Sequence, residues 1–120
     1  AFQLRDDLLG VFGDSSVTGK PAGDDLMEGK RTALIAHAQE RLSPAAEREF
    51  TSLFGRKNLT QNEIDTLRTL IQGSGAVDFI EKLIEEKTIL ALTAINNPKI
   101  TSSGRELLAD LAIKATQRSA

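Results

Sequence analysis

The stretch FQLRDDLLGVFGD, residues 2–14, sets an apolar helical pattern that two adjacent carboxylates interrupt. It is followed by TGKPAGDDLMEGKR, residues 18–31, a glycine-rich segment with Lys20 and Lys30 near its two ends. Hard cations such as Mg²⁺ prefer carboxylate oxygens, and lysines bind the remaining charge of a phosphate group as mobile point donors. Together the two segments favour a site that binds a diphosphate through magnesium.

The two carboxylates of the first segment are Asp6 and Asp7. Adjacent residues on a helix diverge by about 100°, so both side chains cannot face the same partner equally. We expect Asp6 to point at a metal ion and Asp7 to act from its flank. An aspartate pair on a helix is most often solvated surface, and that alternative stays open from the spacing alone.

Composition places the chain among ordinary globular proteins and excludes several functions. Its 120 residues fit one small domain, with 40% hydrophobic and 27% charged residues. A net charge of −2 with mixed signs argues against nucleic-acid binding, and the lack of cysteine excludes disulfides and thiolate chemistry. No apolar run approaches the roughly 20 residues of a membrane span, and no secretory signal is visible, so we expect a cytoplasmic protein.

Helical periodicity dominates the chain, and no segment alternates as a strand does, so we predict an all-α layered bundle. Residues 1–12 predict the first helix and residues 13–24 a loop. Asp25 and Glu28 have capping-box spacing and predict a second helix that runs to about Leu42. Further helix starts are predicted at Ser43–Pro44, at the capping box Thr60–Glu63, and at Thr101 or Ser102.

The longest helical pattern covers residues 76–96, and its second half, residues 89–95, is apolar nearly all round. Such a helix is expected to be buried on several sides. The last helix is predicted to bury an inner face made of Leu107, Leu108, Leu111, Ala112 and Ala115.

The order FQ-x-x-DD, GD, TGKP-x-GDDL and EGKRT resembles the second aspartate-rich region of polyprenyl (isoprenyl) diphosphate synthases, particularly those of the geranylgeranyl type. The similarity is dense over residues 1–35, and beyond them it rests on helical pattern. It implies the C-terminal helices of an isoprenoid (terpenoid) synthase-type bundle. Residues 1–120 would then be the C-terminal portion of a single all-α domain, without its N-terminal portion. The absence of an initiator methionine and the opening directly on helical pattern support this expectation.

The resemblance also implies roles for particular residues. Asp6 binds magnesium with Asp7 beside it, and these two form the catalytic aspartate pair. Lys20 and Lys30 contact the allylic diphosphate. Phe2 and Gln3 are expected to lie near the reacting allylic carbon.

One position departs from the usual DD-x-x-D pattern, because Gly10 stands where the third aspartate is expected. The next acid, Asp14, lies about 12 Å further along a continuous helix than Asp6. It reaches the same metal only if the helix unwinds at Gly10 or Gly13. Asp24 and Asp25 either support a metal or cap a helix.

In this family, magnesium and basic residues withdraw charge onto a diphosphate leaving group, and isopentenyl diphosphate attacks the allylic cation. The parent enzyme is expected to be a homodimer. A first aspartate-rich motif would precede Ala1, so we expect the 120-residue chain alone to be inactive. Two alternatives are a non-catalytic helical module, such as a regulatory subunit of a heteromeric synthase, and an isoprenoid cyclase. Product length and allylic primer are not specified by these residues.

Overall fold

The computed structural model of the chain describes residues 1–19, 21 and 23–116. These residues form eight helices and no strand, which confirms the all-α prediction. No helix among them is long and apolar enough to cross a bilayer. In chain order the helices are α1 (Phe2–Phe12), α2 (Ser15–Thr18), α3 (Asp24–Glu28), α4 (Ala33–Arg41), α5 (Pro44–Leu53), α6 (Gln61–Gly73), α7 (Ala76–Ile95) and α8 (Ser102–Thr116).

Several helix starts lie where short-range chemistry predicts them. Ser43 accepts a hydrogen bond at its hydroxyl from the Ala46 N–H (3.2 Å) and caps α5. The capping box of α6 is complete, since Thr60 Oγ1 accepts from the Glu63 N–H at 3.2 Å and Glu63 Oε1 accepts from the Thr60 N–H at 2.9 Å. The backbone N–H of Thr60 on the Glu63 carboxylate lowers the pKa of that residue.

The predicted helix from Asp25 to Leu42 is wrong, because the structure divides this segment into α3 and α4. Gly29 follows α3 in the left-handed region (φ +68°), which ends the helix. A new cap then opens α4, where Thr32 Oγ1 accepts from the Ile35 N–H at 3.2 Å. Asp25 is not the N-cap, because Gly23 holds that position of α3 and Asp25 lies within the first turn. The predicted loop over residues 13–24 also contains the short helix α2.

The core lies where α1, α4, α6 and α7 pack against one another. It is built mainly from aliphatic side chains around Phe50, as the composition predicts. Each fully buried Leu, Ile or Phe contributes about 1.5–3 kcal/mol. The largest fully buried side chains are Phe50, Leu26, Leu34, Ile35, Leu67, Ile71, Ile80 and Val11.

The predicted burial of the C-terminal hairpin is wrong. Residues 89–95 were expected to be buried on several sides, yet Leu90 is 61% exposed and Ile89 is exposed as well. The predicted inner face of α8 is wrong for its leucines, since Leu107 is 62% exposed and Leu108 and Leu111 are exposed too, whereas Ala112 and Ala115 are partly buried. In the described part of the chain this half of α7 packs against α8, and the partly buried positions of α8 include small residues such as Ala109, Ala112 and Ala115. The leucines are left without a covering layer.

His37, the single histidine, joins α4 to α7. Its ring stacks on Phe79 with centroids 3.8 Å apart and an angle of 16° between the planes. Burial lowers the pKa of His37, because it disfavours the charged ring, and the nearby Arg41 guanidinium lowers it further. These contacts assign the residue a structural role.

Candidate metal and diphosphate site

The aspartate pair lies in the middle of α1, and its two side chains are in different environments. Asp7 is buried and accepts a hydrogen bond at Oδ1 from Gln3 Nε2 at 3.0 Å. Asp6 is less buried and lies one step round the helix. The divergence therefore leaves Asp6 as the more accessible carboxylate, while Gln3, one turn earlier, fixes Asp7.

Gly10 lies about one turn after the aspartate pair. Because it has no side chain, a carboxylate from another helix can pack against it. A Cβ placed on Gly10 would lie 2.0 Å from Asp25 Oδ2 and 2.4 Å from Asp25 Cγ. Asp25 is buried on α3, which packs against α1. Its carboxylate thus occupies the space into which a third motif aspartate would project from position 10.

Asp14, the other candidate for a third carboxylate, caps α2 instead. Its Oδ1 accepts from the Ser16 N–H at 2.8 Å and from the Ser16 hydroxyl at 2.7 Å. These hydrogen bonds stabilise the carboxylate and lower the pKa of Asp14. Its side chain is exposed and serves this local turn.

Asp25 also belongs to a group of three acids on α3. One carboxylate oxygen each from Asp24, Asp25 and Glu28 lies within 4.8 Å of the others. All three donors are hard oxygen atoms, the ligand type of Mg²⁺ and Ca²⁺. Exposed acids often cluster without a metal. The stronger indication of a metal site is that the Asp25 carboxylate lies against Gly10 of α1, close to the aspartate pair.

Lys30 follows the acidic group directly. Its Nζ lies 3.8 Å from Asp25 Oδ2, and its backbone N–H donates to the Asp25 carbonyl oxygen at 3.0 Å. The lysine side chain is 43% exposed, so its charge can reach a ligand beyond the carboxylate. Lys20, the other predicted diphosphate residue, lies outside the described residues. Phe2 is half exposed at the start of α1.

Two arginines that the sequence analysis did not single out fix the orientation of α1. Near its start, Arg5 binds both carboxylate oxygens of Glu81 on α7, at 2.7 and 2.9 Å. The Arg5 Nε also donates to the carbonyl oxygen of Thr116 at the end of α8, at 2.7 Å. Near the end of α1, Arg68 Nε donates to the Val11 carbonyl oxygen at 2.7 Å. Arg5 was marked in the sequence only as an arginine inside an apolar helix, and Arg68 was not marked at all, because the partners of both arginines are distant in the chain.

Residues 1–71 match the model of the family described as polyprenyl synthetase. Among curated proteins, the chain is 37% identical over 111 residues to a geranylfarnesyl diphosphate synthase of Aeropyrum pernix. That alignment covers 90% of this chain and 33% of the relative. A geranylgeranyl diphosphate synthase of Mycobacterium tuberculosis is 32% identical over 96 residues, which are 79% of this chain and 27% of that protein.

The fold has close counterparts among solved structures. A geranylgeranyl pyrophosphate synthase of Corynebacterium glutamicum, complexed with isoprenyl diphosphate and magnesium, is 42% identical and superposes with a TM-score of 0.92. The match covers 98% of this chain and 33% of that one. A geranylgeranyl pyrophosphate synthetase of Pyrococcus horikoshii gives a TM-score of 0.86 at 27% identity. The chain thus spans about a third of the length of the relatives that it matches.

Proposed function

This chain belongs to the polyprenyl synthetase family, and we propose that residues 1–120 are the C-terminal portion of a single prenyltransferase domain. The parent enzyme condenses isopentenyl diphosphate with an allylic diphosphate. The observation that carries the proposal is the superposition, at a TM-score of 0.92 over 98% of this chain, on a synthase complexed with isoprenyl diphosphate and magnesium. The family resemblance alone adds that the parent is a cytoplasmic homodimer.

The donor set fits magnesium, because the candidate ligands are carboxylate oxygens on α1 and α3. In the proposed site Asp6 is the ligand and Asp7, fixed by Gln3, supports it from the buried side of α1. Asp25 contributes the third carboxylate from α3, in the space above Gly10. When bound, magnesium acts as a Lewis acid on the diphosphate leaving group.

Binding and orientation of the allylic substrate are assigned to the chain's other site residues. The charges of Lys20 and Lys30 neutralise the diphosphate and favour its departure, an electrostatic contribution that grows as water is excluded. Phe2 presents an apolar ring beside the allylic chain, and Gln3 lies near the reacting carbon. No protein nucleophile is required for this transfer.

The proposal is tested by replacing Asp6 with alanine in the full-length enzyme. We expect turnover at saturating magnesium to fall by about tenfold or more, since a metal ligand is lost. Glu49→Ala, which removes an exposed carboxylate from α5, is the control and should leave turnover unchanged. An unchanged rate for Asp6→Ala would remove Asp6 from the site and favour a non-catalytic role for this portion.

A further inference from the structure

The short helix α3 carries the acidic group of the candidate site, and its C-terminal end is held by backbone contacts with the turn after α5. The N–H of Gly55, in that turn, donates to the Leu26 carbonyl oxygen at 2.9 Å. The N–H of Gly29 donates to the same oxygen at 3.3 Å. Two backbone donors from different segments of the chain therefore meet at the last turn of α3.

The two segments approach so closely that they leave no room for a side chain at Gly29. A Cβ at this position would lie 3.1 Å from Gly55 Cα, which is closer than ordinary van der Waals contact. Because that atom belongs to the backbone, it cannot rotate away as the end of a side chain can. Both glycines also have left-handed backbone, with φ +68° at Gly29 and φ +84° at Gly55. A side chain at position 29 would therefore separate α3 from the turn by a few tenths of an ångström.

The N-terminal end of α3 is fixed by a second close contact. Gly23, its N-cap, lies against α6, because a Cβ there would lie 2.9 Å from Ile64 Cγ2. Ile64 is itself buried in the core, and Leu26 in the middle of α3 is fully buried as well. The backbone of α3 is thus held at both ends by α6 and by the turn after α5, which carry no residue of the proposed site.

Two groups of the proposed site depend on where α3 lies. Asp25 projects its carboxylate from α3 into the space above Gly10, and the Lys30 N–H donates to the Asp25 carbonyl oxygen at 3.0 Å. Magnesium requires near-octahedral coordination with metal–oxygen distances of about 2.0–2.1 Å. Binding groups generally have to be held within about 0.5 Å of their productive positions. A shift of α3 by a few tenths of an ångström is consequently large enough to disturb the proposed site.

We propose that Gly29 and Gly55 are positioning residues. Their backbone contact sets the position of α3 relative to α1, and it thereby places the Asp25 carboxylate and Lys30 for binding magnesium and diphosphate. The inference rests on the proposed function. It deepens that proposal by giving the turn after α5 a part in metal binding, although no ligand residue lies on that turn.

The test is Gly29→Ala in the full-length enzyme, with Gly75→Ala as the matched control. Gly75 has similar left-handed backbone, with φ +83°, but nothing lies within 4 Å of a Cβ there. Both substitutions therefore impose backbone strain, and only Gly29→Ala displaces α3. In calorimetric titrations with inorganic diphosphate at fixed magnesium, Gly29→Ala should weaken binding by about tenfold, whereas Gly75→Ala should leave it unchanged.

The choice of cation separates positioning from a general loss of structure. Calcium accepts more flexible coordination than magnesium, at longer metal–oxygen distances. Gly29→Ala should therefore weaken diphosphate binding less with calcium than with magnesium. Equal losses with the two cations would assign Gly29 a purely structural role and overturn the proposal.

Hydrogen exchange in the unsubstituted enzyme tests the same contact without any effect of a substitution on folding. Coupling between two sites is reciprocal, so binding at the site should stabilise the contact between α3 and the turn. Magnesium and inorganic diphosphate should slow exchange of the Gly55 N–H several-fold. The Gly75 N–H, which donates to the Gln72 carbonyl oxygen at 3.2 Å, is the control and should not respond. Unchanged exchange at Gly55 would overturn the proposal, as would equal diphosphate binding by Gly29→Ala and Gly75→Ala.

Failure of this inference can be distinguished from failure of the proposed function. If the unsubstituted enzyme binds diphosphate with magnesium and Asp6→Ala lowers turnover, the proposed function stands whatever the effect of Gly29→Ala. If the unsubstituted enzyme binds no diphosphate in the presence of magnesium, the proposed function fails, and the positioning role of Gly29 and Gly55 fails with it.

Discussion

At the scale of single residues, Gly10 connects the sequence motif to the packing of the site. A glycine inside a helix costs roughly 0.5–1 kcal/mol relative to alanine, so its presence in α1 needs a reason. The reason is the Asp25 carboxylate, which lies where a Cβ would project. The departure from DD-x-x-D is therefore a steric requirement of a carboxylate supplied by another helix.

Gly10→Ala is expected to impair the site more than the fold. The added methyl would lie 2.4 Å from Asp25 Cγ, so this short side chain must rotate away and take its carboxylate with it. In the full-length enzyme we expect the magnesium concentration for half-maximal turnover to rise several-fold, with a loss of about 1 kcal/mol in urea unfolding. Turnover as a function of magnesium concentration checks the first effect.

The matched control is Gly73→Ala at the end of α6. Nothing lies within 4 Å of a Cβ at that position, and its backbone is not left-handed. Alanine there should be neutral or stabilising by up to about 1 kcal/mol, with an unchanged magnesium requirement. Equal effects of the two substitutions on the magnesium requirement would contradict the steric interpretation of Gly10.

The sequence predicts part of this arrangement. The divergence of Asp6 and Asp7 follows from helix geometry, and their different burial agrees with it. The position of Asp25 could not be predicted, because it depends on a left-handed Gly23 and on the docking of the short α3 against α1. No local pattern encodes that docking.

At the scale of elements, Arg5 joins three helices through its single guanidinium group. Its side chain is mostly buried. The two terminal guanidinium nitrogens donate to the Glu81 carboxylate, and Nε donates to the Thr116 carbonyl oxygen. Bidentate geometry and a backbone acceptor distinguish this contact from an ordinary surface ion pair. The guanidinium group thus ties α1 to α7 and α8.

Arg5→Ala should lower the free energy of unfolding by about 1–2 kcal/mol, because the pair and the hydrogen bond to Thr116 are lost together. Arg5→Lys should recover little of this loss, since an ammonium group cannot reproduce the planar fork. A double-mutant cycle with Glu81→Gln, measured by urea unfolding, should give a coupling of about 0.5–1 kcal/mol.

Arg41→Ala is the control for Arg5→Ala, because Arg41 forms an ordinary surface ion pair. It lies 3.9 Å from Glu40, and both side chains are well exposed. Its replacement by alanine should change stability by no more than about 0.5 kcal/mol. If Arg5→Ala lowers the free energy of unfolding no more than Arg41→Ala does, then Arg5 does not tie α1 to α7 and α8.

Element boundaries were predictable where a local side chain decides them. The caps at Ser43 and Thr60 are short-range hydrogen bonds, and both form as predicted. The break after Glu28 was missed because Asp25 and Glu28 imitate a capping box, whereas Gly29 and Thr32 decide the boundary. The leucines of α8 show a different limit, since an apolar pattern identifies a surface to be covered but not whether its partner belongs to the same chain.

At the scale of the whole molecule, the candidate site is open. Phe2 is half exposed, and the Lys30 side chain beside the acidic group is nearly half exposed. Ionisation of an allylic diphosphate needs an environment from which water is excluded, both to strengthen the electrostatics and to protect the cation. In the described part of the chain Asp7 and Asp25 are buried, but Phe2 and Lys30 remain in contact with solvent.

The 120-residue chain by itself should therefore give no prenyl transfer, although it carries Asp6 and Lys30. Incubation with magnesium, isopentenyl diphosphate and an allylic diphosphate, followed by mass spectrometry of extracted products, should detect no elongated prenyl chain. The full-length enzyme in the same assay is the positive control and should give elongated products. Turnover by the purified chain alone would show that the site needs no enclosure.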